Sequence, residues 1–331
     1  MPPMPSFATD NGQPDLQSEV IPAGNPTMTT TTQAPHNAAT RTLELGAAAI
    51  VVFLCLCWGF NQVAVKLALP DIPPLTQAAI RSGGAALIIW IYARTRGISL
   101  GLGGETMKPG LLAGFLFGLE FIFIYPSLLY TTASRATLFI YVAPFVVVLG
   151  AHFLVPSDRF RWTQWAGLLM SFSGLVLAFG VPTPSANADQ FLGDLLALAG
   201  GIAWGLTTLV VKSTSLARAA PEKTLQYQLV ISAPMLAAAA WLLGETITRI
   251  PGALALTSLA YQTVWVVSLT FLIWFIMVSK YSASRLSAFT FLTPLFGVFA
   301  GYLVMGDPIT PPFAGAVALV IGGLILVNRP R

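Results

Sequence analysis

The feature that most constrains this chain is a series of ten apolar segments, each long enough to cross a lipid bilayer as a helix. They follow one another from residue 45 to residue 328, separated by short turn-forming or charged stretches. An α-helix rises 1.5 Å per residue, so about 20 residues cross about 30 Å of hydrocarbon. The predicted spans are 45–69, 75–92, 109–130, 136–154, 162–181, 191–211, 225–243, 256–278, 286–305 and 311–328.

The scarcity of charge agrees with a chain that lives in lipid. Only 9% of the 331 residues are charged, against about 25% in soluble domains. This excludes an ordinary soluble enzyme, and a net charge of +4 is too dilute for nucleic-acid binding. Cys55 and Cys57 lie about 200° apart on a helix, so they predict neither a disulfide nor a metal site. No catalytic motif, metal site or cofactor site is expected.

The first 43 residues differ from the remainder. Residues 1–43 are rich in Pro, Thr, Ser, Asn and Gln and have no hydrophobic period. Such a composition predicts a disordered tail. The segment lacks the charged start and short apolar core of a cleavable signal peptide.

The basic residues predict the orientation in the membrane. With the N-terminus inside, thirteen of the 17 Lys and Arg fall on the inner side. Lys66, Arg135 and Arg249 fall outside, and Arg81 lies within the second span. The positive-inside rule then places both termini in the cytoplasm, which requires an even number of spans. The membrane is predicted to be the inner membrane of the cell.

An internal repeat relates the two halves of the chain. Three motifs recur in the same order at offsets of 146 to 150 residues. The matched segments are 58–66 with 204–212, 133–144 with 283–294, and 166–174 with 314–322. They predict two five-helix units, 44–183 and 190–329. Because five is odd, the second copy enters the membrane from the opposite side, and inverted repeats are typical of secondary transporters.

Four segments resemble the EamA-type transporters of the drug/metabolite transporter superfamily. They read WGFNQVAVK, PPLTQAAIR, GLEFIFIYPSLLYTTASRATLFIYVAPF and SASRLSAFTFLTPLFGVFAGYLVMGD. The resemblance covers residues 45–328. It implies an all-α membrane protein of ten transmembrane helices in two inverted five-helix repeats, and export of amino acids or similar small metabolites.

Two ionisable residues fall inside predicted spans. Arg81 lies about a third of the way along its span, and Glu120 lies near the middle of 109–130. A charge at the bilayer centre costs about 2.5–3.5 kcal/mol even on the lenient insertion scale, so such groups face a cavity or a partner. One reading is a structural ion pair. The other is that Arg81 binds a substrate carboxylate while Glu120 binds an ammonium group or a proton.

Polar and aromatic side chains recur at matched positions and predict a central pocket. Hydrogen bonding between packed helices is the competing explanation. The predicted substrate-binding residues are Trp58, Asn61, Gln62, Tyr141, Trp204, Thr207, Thr208, Gln262, Trp265 and Thr290, together with Arg81 and Glu120.

Pro144 and Pro294 fall mid-span at equivalent positions. Each removes a backbone hydrogen bond, so they are predicted either as hinges or as static kinks. Small-residue faces near Gly167 and Gly322 predict close helix packing, with a homodimer interface as the minor alternative.

The combined prediction is a secondary transporter that works by alternating access on a small-molecule substrate. The sequence has no ATP-binding motif, so a gradient, such as that of protons, would drive the transport. Otherwise the substrate would cross by facilitated diffusion. The alternatives are the same fold with a sugar, nucleotide precursor or drug as cargo, or, in another class, a polytopic membrane enzyme. A non-transporting scaffold is a further alternative, which the polar faces of the first and sixth spans argue against.

Overall fold

The computed structural model describes residues 44–101, 103–181 and 188–329, and every regular element in them is a helix. The predicted tail, 1–43, lies outside this range. The helices are α1 (Leu45–Ala68), α2 (Pro74–Thr95), α3 (Met107–Tyr130), α4 (Ala133–Ile140), α5 (Ala143–Leu154), α6 (Trp162–Phe179), α7 (Ala188–Ser213), α8 (Pro221–Leu242), α9 (Ala253–Ala260), α10 (Phe271–Lys280), α11 (Ala283–Phe289), α12 (Leu292–Met305) and α13 (Pro312–Asn328).

Eight stretches of the described chain are long and apolar enough to cross a membrane, which makes this an integral membrane protein. Two of them, Ala133–Leu154 and Ala283–Met305, each join two α-helices, and Ala253–Lys280 joins α9 to α10 through a π-helix. The eight do not include α2, which is 22 residues long but carries Gln77 and Arg81. They also exclude α13, which is apolar but has 17 residues.

The two ends of the bundle are named here by α1. It runs from the proximal face, at Leu45, to the distal face, at Lys66. At the distal face Glu245 accepts hydrogen bonds from the backbone N–H and hydroxyl of Thr76, at 2.8 and 2.9 Å, and so caps α2. The start of α2 and the end of α8 therefore lie together, as antiparallel neighbours require.

A second distal contact joins the loop after α1 to the loop before α9. Asp71 forms an ion pair with Arg249 and accepts a 2.8 Å hydrogen bond from the Gly252 N–H. The Gly252 N–H, with help from Arg249, holds the pKa of Asp71 below its usual range. A lowered pKa means that this contact is present above the ordinary pKa of Asp and is lost as the pH falls through the lowered value.

Glycines allow two pairs of helices to approach closely. A Cβ added at Gly59 of α1 would lie 2.6 Å from the Phe296 Cβ of α12. A Cβ added at Gly205 of α7 would lie 2.6 Å from the Val146 Cβ of α5. Both glycines belong to matched segments of the repeat, and Val146 and Phe296 are themselves 150 residues apart. The two halves therefore use equivalent positions for equivalent contacts.

The small-residue face of α6 packs against α13 as predicted, but α13 presents Ala316 and Gly323 rather than the predicted face near Gly322. A Cβ at Gly167 would lie 2.5 Å from the Gly323 carbonyl oxygen, and one at Gly174 would lie 2.8 Å from the Ala316 carbonyl oxygen. Small residues permit such approach in lipid, where packing rather than the hydrophobic effect holds helices together.

Both matched prolines follow a break in a helix. The chain turns at 141–142 between α4 and α5, and at 290–291 between α11 and α12. Pro144 and Pro294 then lie in the first turn of the next helix, where a missing N–H leaves no intrahelical bond unmade. Each span is therefore two half-helices joined by a short turn.

The glycine contacts yield a prediction about stability. Gly59→Ala and Gly205→Ala should each lower the free energy of unfolding by about 1–3 kcal/mol, since the added methyl group overpacks a helix crossing. Gly46→Ala is the matched control, because a Cβ there meets nothing within 4 Å. Thermal unfolding of the purified variants in detergent measures the effect. Equal melting temperatures for all three variants would contradict it.

Candidate functional site

Arg81 of α2 and Glu120 of α3 are both buried, at 2% and 9% exposure. The Arg81 guanidinium carbon lies 4.5 Å from the centroid of the Phe121 ring. Its Nε and Nη2 atoms and the Glu120 Oε2 atom are buried with no hydrogen-bond partner. No ion pair within 4 Å joins the Arg81 and Glu120 side chains.

This separation bears on the two readings of the sequence. A structural ion pair repays the cost of burial only when its two groups meet and their remaining hydrogen bonds are satisfied. Here the Nε and Nη2 donors of Arg81 and the Oε2 acceptor of Glu120 have no hydrogen-bond partner. The arrangement suits a ligand that carries both a carboxylate and an ammonium group.

An aromatic wall continues from Arg81 towards α10. Phe121 contacts Phe117, whose ring lies 6.0 Å from Phe271, and Phe271 in turn contacts Trp58 at 5.9 Å between centroids. Each contact is edge-to-face, the arrangement that aromatic quadrupoles favour. The wall places a large apolar surface beside the guanidinium group.

Trp58 is fixed by the segment between α9 and α10. Its Nε1 donates a 2.9 Å hydrogen bond to the Thr270 hydroxyl. Thr270 ends a π-helix that spans Tyr261–Thr270. π-Helical turns are rare and are frequent at functional sites. The sequence showed no sign of this distortion.

The π-helix holds two of the predicted residues, Gln262 and Trp265. Gln262 is fully buried, and its Nε2 donates to the Gln77 side-chain oxygen at 2.9 Å. Trp265 is 41% exposed, and its Nε1 contacts the Cys57 sulfur at 3.3 Å. Both side chains therefore tie this segment to α1 and α2, and the Gln262 Oε1 atom has no partner.

Sequence reasoning missed Gln77 as a site residue. It is fully buried one turn before Arg81, and its Nε2 donates to the Ile72 carbonyl at 2.7 Å. Residues four apart share one face of a helix. The spacing of Gln77 and Arg81 was therefore a signal available in the sequence.

Tyr141 of the first half contacts Trp204, one of the predicted residues of the second half. The Tyr141 ring lies edge-on to Trp204, with centroids 5.6 Å apart. Thr207 and Thr208 are buried and donate to carbonyls one turn earlier in α7, and Thr290 donates to the Ser287 carbonyl. These hydroxyl groups are satisfied within their own helices and retain only acceptor capacity.

Two further predicted residues lie on α1. The Asn61 Oδ1 atom is buried without a partner, whereas Gln62 is exposed. Trp58 and Trp204 occupy matched positions in the two halves. The polar residues that follow Trp204, Thr207 and Thr208, bond within their own helix, whereas the Asn61 Oδ1 atom that follows Trp58 has no partner.

A small cavity of about 10 Å³ lies near the proximal face, between α7, α8 and α10. Its walls include Val211, Leu216 and Phe275, and none of the predicted site residues lines it. It is therefore not part of the candidate site. Among the described residues, no group of three or more His, Cys, Asp or Glu could hold a metal ion.

The fold and the site define a polytopic α-helical membrane protein with sparse buried charges beside an aromatic wall. The chain belongs to the EamA-like transporter family, which matches residues 45–180 and 191–329. This confirms the resemblance noted in the sequence, and the family indicates a transporter rather than an enzyme.

Curated relatives are similar along nearly their whole length. The uncharacterized transporter YvbV of Bacillus subtilis (strain 168) is 30% identical over 298 residues, which cover 85% of this chain and 91% of that protein. A probable amino-acid metabolite efflux pump of Salmonella typhimurium is 26% identical over 291 residues, covering 84% and 93%.

A solved crystal structure has the same fold. It superposes with a TM-score of 0.71 at 20% sequence identity and covers 85% of this chain and 96% of the other. At this identity the likeness concerns the fold alone.

The separated charges yield a prediction that distinguishes a ligand site from a structural pair. The double variant Arg81→Met/Glu120→Leu should be more stable than the wild type by about 1–4 kcal/mol, because it removes two buried charges that lack partners. Denaturant unfolding in detergent measures this.

Asp194→Asn is the matched control for that experiment. It removes one member of an ion pair that is formed, with Arg135, and should lower stability. If the double variant lost as much stability as Asp194→Asn, Arg81 and Glu120 would have to be a structural pair.

Proposed function

We propose that this protein is a secondary transporter that exports amino acids or related small metabolites across the inner membrane by alternating access. The observation that carries the proposal is the separation of Arg81 from Glu120, two buried and unsatisfied opposite charges. The α-carboxylate of an amino acid would pair with Arg81, and its α-ammonium group would pair with Glu120. The name of the Salmonella typhimurium relative, a probable amino-acid metabolite efflux pump, supports the same substrate class.

In the proposed architecture α2 and α13 also cross the membrane, giving ten spans in two inverted five-helix repeats. The equivalent contacts of Gly59 and Gly205 support this symmetry. The distribution of Lys and Arg supports a cytoplasmic proximal face and cytoplasmic termini. The two repeats correspond to the predicted units 44–183 and 190–329.

Unpaired polar atoms in the bundle support a solvated route through it. Nearly all buried polar groups in proteins have a hydrogen-bond partner, a protein group or an ordered water. The buried atoms without one that lie within helical spans include Asn61 Oδ1, Ser82 Oγ, Glu120 Oε2, Gln226 Oε1, Gln228 Oε1, Gln262 Oε1 and Thr293 Oγ1. They occur on α1, α2, α3, α8, α12 and the π-helix, so water or substrate between the helices would satisfy them.

The aromatic wall points to the kind of amino acid. Trp58, Phe117, Phe121 and Phe271 present apolar rings next to Arg81. A substrate with a large apolar side chain would bury that surface while its charged end meets Arg81 and Glu120. A phosphorylated cargo would need more cations than Arg81 alone supplies, which disfavours nucleotide precursors.

Transport itself provides the test of the proposal. Inside-out vesicles that contain the protein should take up labelled amino acids with large apolar side chains, and a pH gradient should increase the uptake if protons are coupled. Vesicles without the protein are the control. A lack of uptake for every amino acid in a complete panel would overturn the proposed substrate class.

Glu120→Gln provides a sharper prediction. Loss of the carboxylate should lower uptake at least tenfold and abolish its dependence on pH, because the amide can neither bind a proton reversibly nor pair with an ammonium group. Glu105→Gln, at an exposed acidic residue just before α3, should leave flux unchanged. Unaltered flux and pH dependence in Glu120→Gln would exclude this role.

A further inference from the structure

Two aspartates occupy equivalent places in the two halves of the chain. The pattern Ala-x-x-Leu-Val-x-x-Asp occurs at 151–158 and again at 300–307. Asp158 follows α5 at the proximal face, and Asp307 follows α12 at the distal face. The lysines that end α1 and α7, Lys66 and Lys212, are matched in the same way. Each face of the bundle thus has one lysine and one aspartate at corresponding positions.

At the proximal face these residues clamp the turn between α10 and α11. Asp158 accepts hydrogen bonds from the Ser282 hydroxyl and from the Ser284 N–H, the latter at 3.2 Å. Lys212 Nζ donates to the carbonyl oxygens of Val278 and Tyr281, both at 2.8 Å. Asp158, Lys212, Ser282 and Ser284 are called the proximal latch here.

The proximal latch is largely shielded from solvent. Asp158 is 3% exposed and Ser284 is fully buried. Burial raises the pKa of the Asp158 carboxyl above its ordinary value, while the Ser282 hydroxyl, the Ser284 N–H and the Lys212 charge oppose that rise. An ionised carboxylate in this place therefore depends on the contacts of the latch.

At the distal face the corresponding residues pair with each other. The Lys66 Nζ and Asp307 Oδ2 atoms form an ion pair at 3.9 Å, and the two side chains are 55% and 51% exposed. Thr132, the counterpart of Ser282, accepts only a 3.3 Å hydrogen bond from the Arg135 N–H. In the described part of the chain, no hydrogen bond joins Asp307 to Thr132 or Ser134.

The half-helices show the same asymmetry. α5 packs against α11 near the proximal face, whereas the equivalent pair, α12 and α4, is nearly out of contact at the distal face. Every residue of α11 is buried, but only Ala136 and Leu138 of α4 are. Asp194 instead holds α4 against α7, through Arg135 and Thr131.

We propose that this structure is the state closed at the proximal face and open at the distal face, and that the opposite state forms a distal latch from Lys66, Asp307, Thr132 and Ser134. The proposal rests on the alternating access proposed above. Because the halves are related by inversion, exchanging their conformations gives a second structure with the same contacts on the other side. The half-helices α4 and α11 would pivot at the breaks that precede Pro144 and Pro294.

Distances between spin labels test this exchange. With Cys55 and Cys57 replaced by alanine, cysteine pairs carry labels at Phe153 and Lys280 on the proximal side and at Ala133 and Val304 on the distal side, all exposed positions. Double electron–electron resonance on the protein in nanodiscs gives both distances without substrate. Asp158→Asn should lengthen the proximal distance and shorten the distal one, each on the order of 5 Å, about one helical turn.

A second variant makes the test specific to the distal latch. In Asp158→Asn/Asp307→Asn the distal distance should remain that of the wild type, since the carboxylate that closes this face is absent. Glu105→Gln is the matched control for removing a proximal acid and should change neither distance. If Asp158→Asn does not fold, Lys212→Gln removes the other charged member of the proximal latch and takes its place.

The outcomes separate this inference from the proposed function. Unchanged distances in Asp158→Asn, or distal shortening that persists in Asp158→Asn/Asp307→Asn, would overturn the latch, even in a protein that transports amino acids. Conversely, the predicted distances together with no uptake of any amino acid would leave the latch in place and overturn the proposed substrate class.

Discussion

Close approach of helix backbones is the interaction on which this bundle depends. Lipid tails are as apolar as the side chains that face them, so the hydrophobic effect gives little reason for helices to associate within a bilayer. Contact area and packing must do so, and glycine permits both. Gly59 brings α1 against α12, Gly205 brings α7 against α5, and Gly167 brings α6 against α13. These crossings fix where the remaining polar groups can lie.

Within this packed frame, the few buried charges are arranged in two different ways. Some are satisfied, as in the pair formed by Arg135 and Asp194 or in the contacts of Asp158. Arg81 and Glu120 are not. Groups of the first kind hold half-helices in place. Groups of the second kind have polar atoms without a partner, and a bound substrate would pair with them. The proposed function therefore centres on Arg81 and Glu120.

Much of this was predictable because the membrane reduces the possibilities. The apolar segments located the helices to within a few residues, since only helices satisfy the backbone of a single chain segment in hydrocarbon. The resemblance to EamA-type transporters was also available from four segments. Gln77 was accessible through its spacing from Arg81, although it was overlooked. The π-helix from Tyr261 to Thr270 was not accessible, because its residues follow no distinctive pattern.

By itself, the sequence determined the helical membrane class, the internal repeat, the family and two of the buried charges, Arg81 and Glu120. Those properties depend on local hydropathy and on matched motifs. Only the tertiary structure decided that Arg81 and Glu120 stay apart and that Thr207 and Thr208 bond within α7. It also decided that buried Asp158 holds the turn before α11, whereas Asp307 pairs with the exposed Lys66. The physical reason is that equivalent residues in a repeat have the same chemistry but different neighbours, and neighbours are set by packing between distant segments.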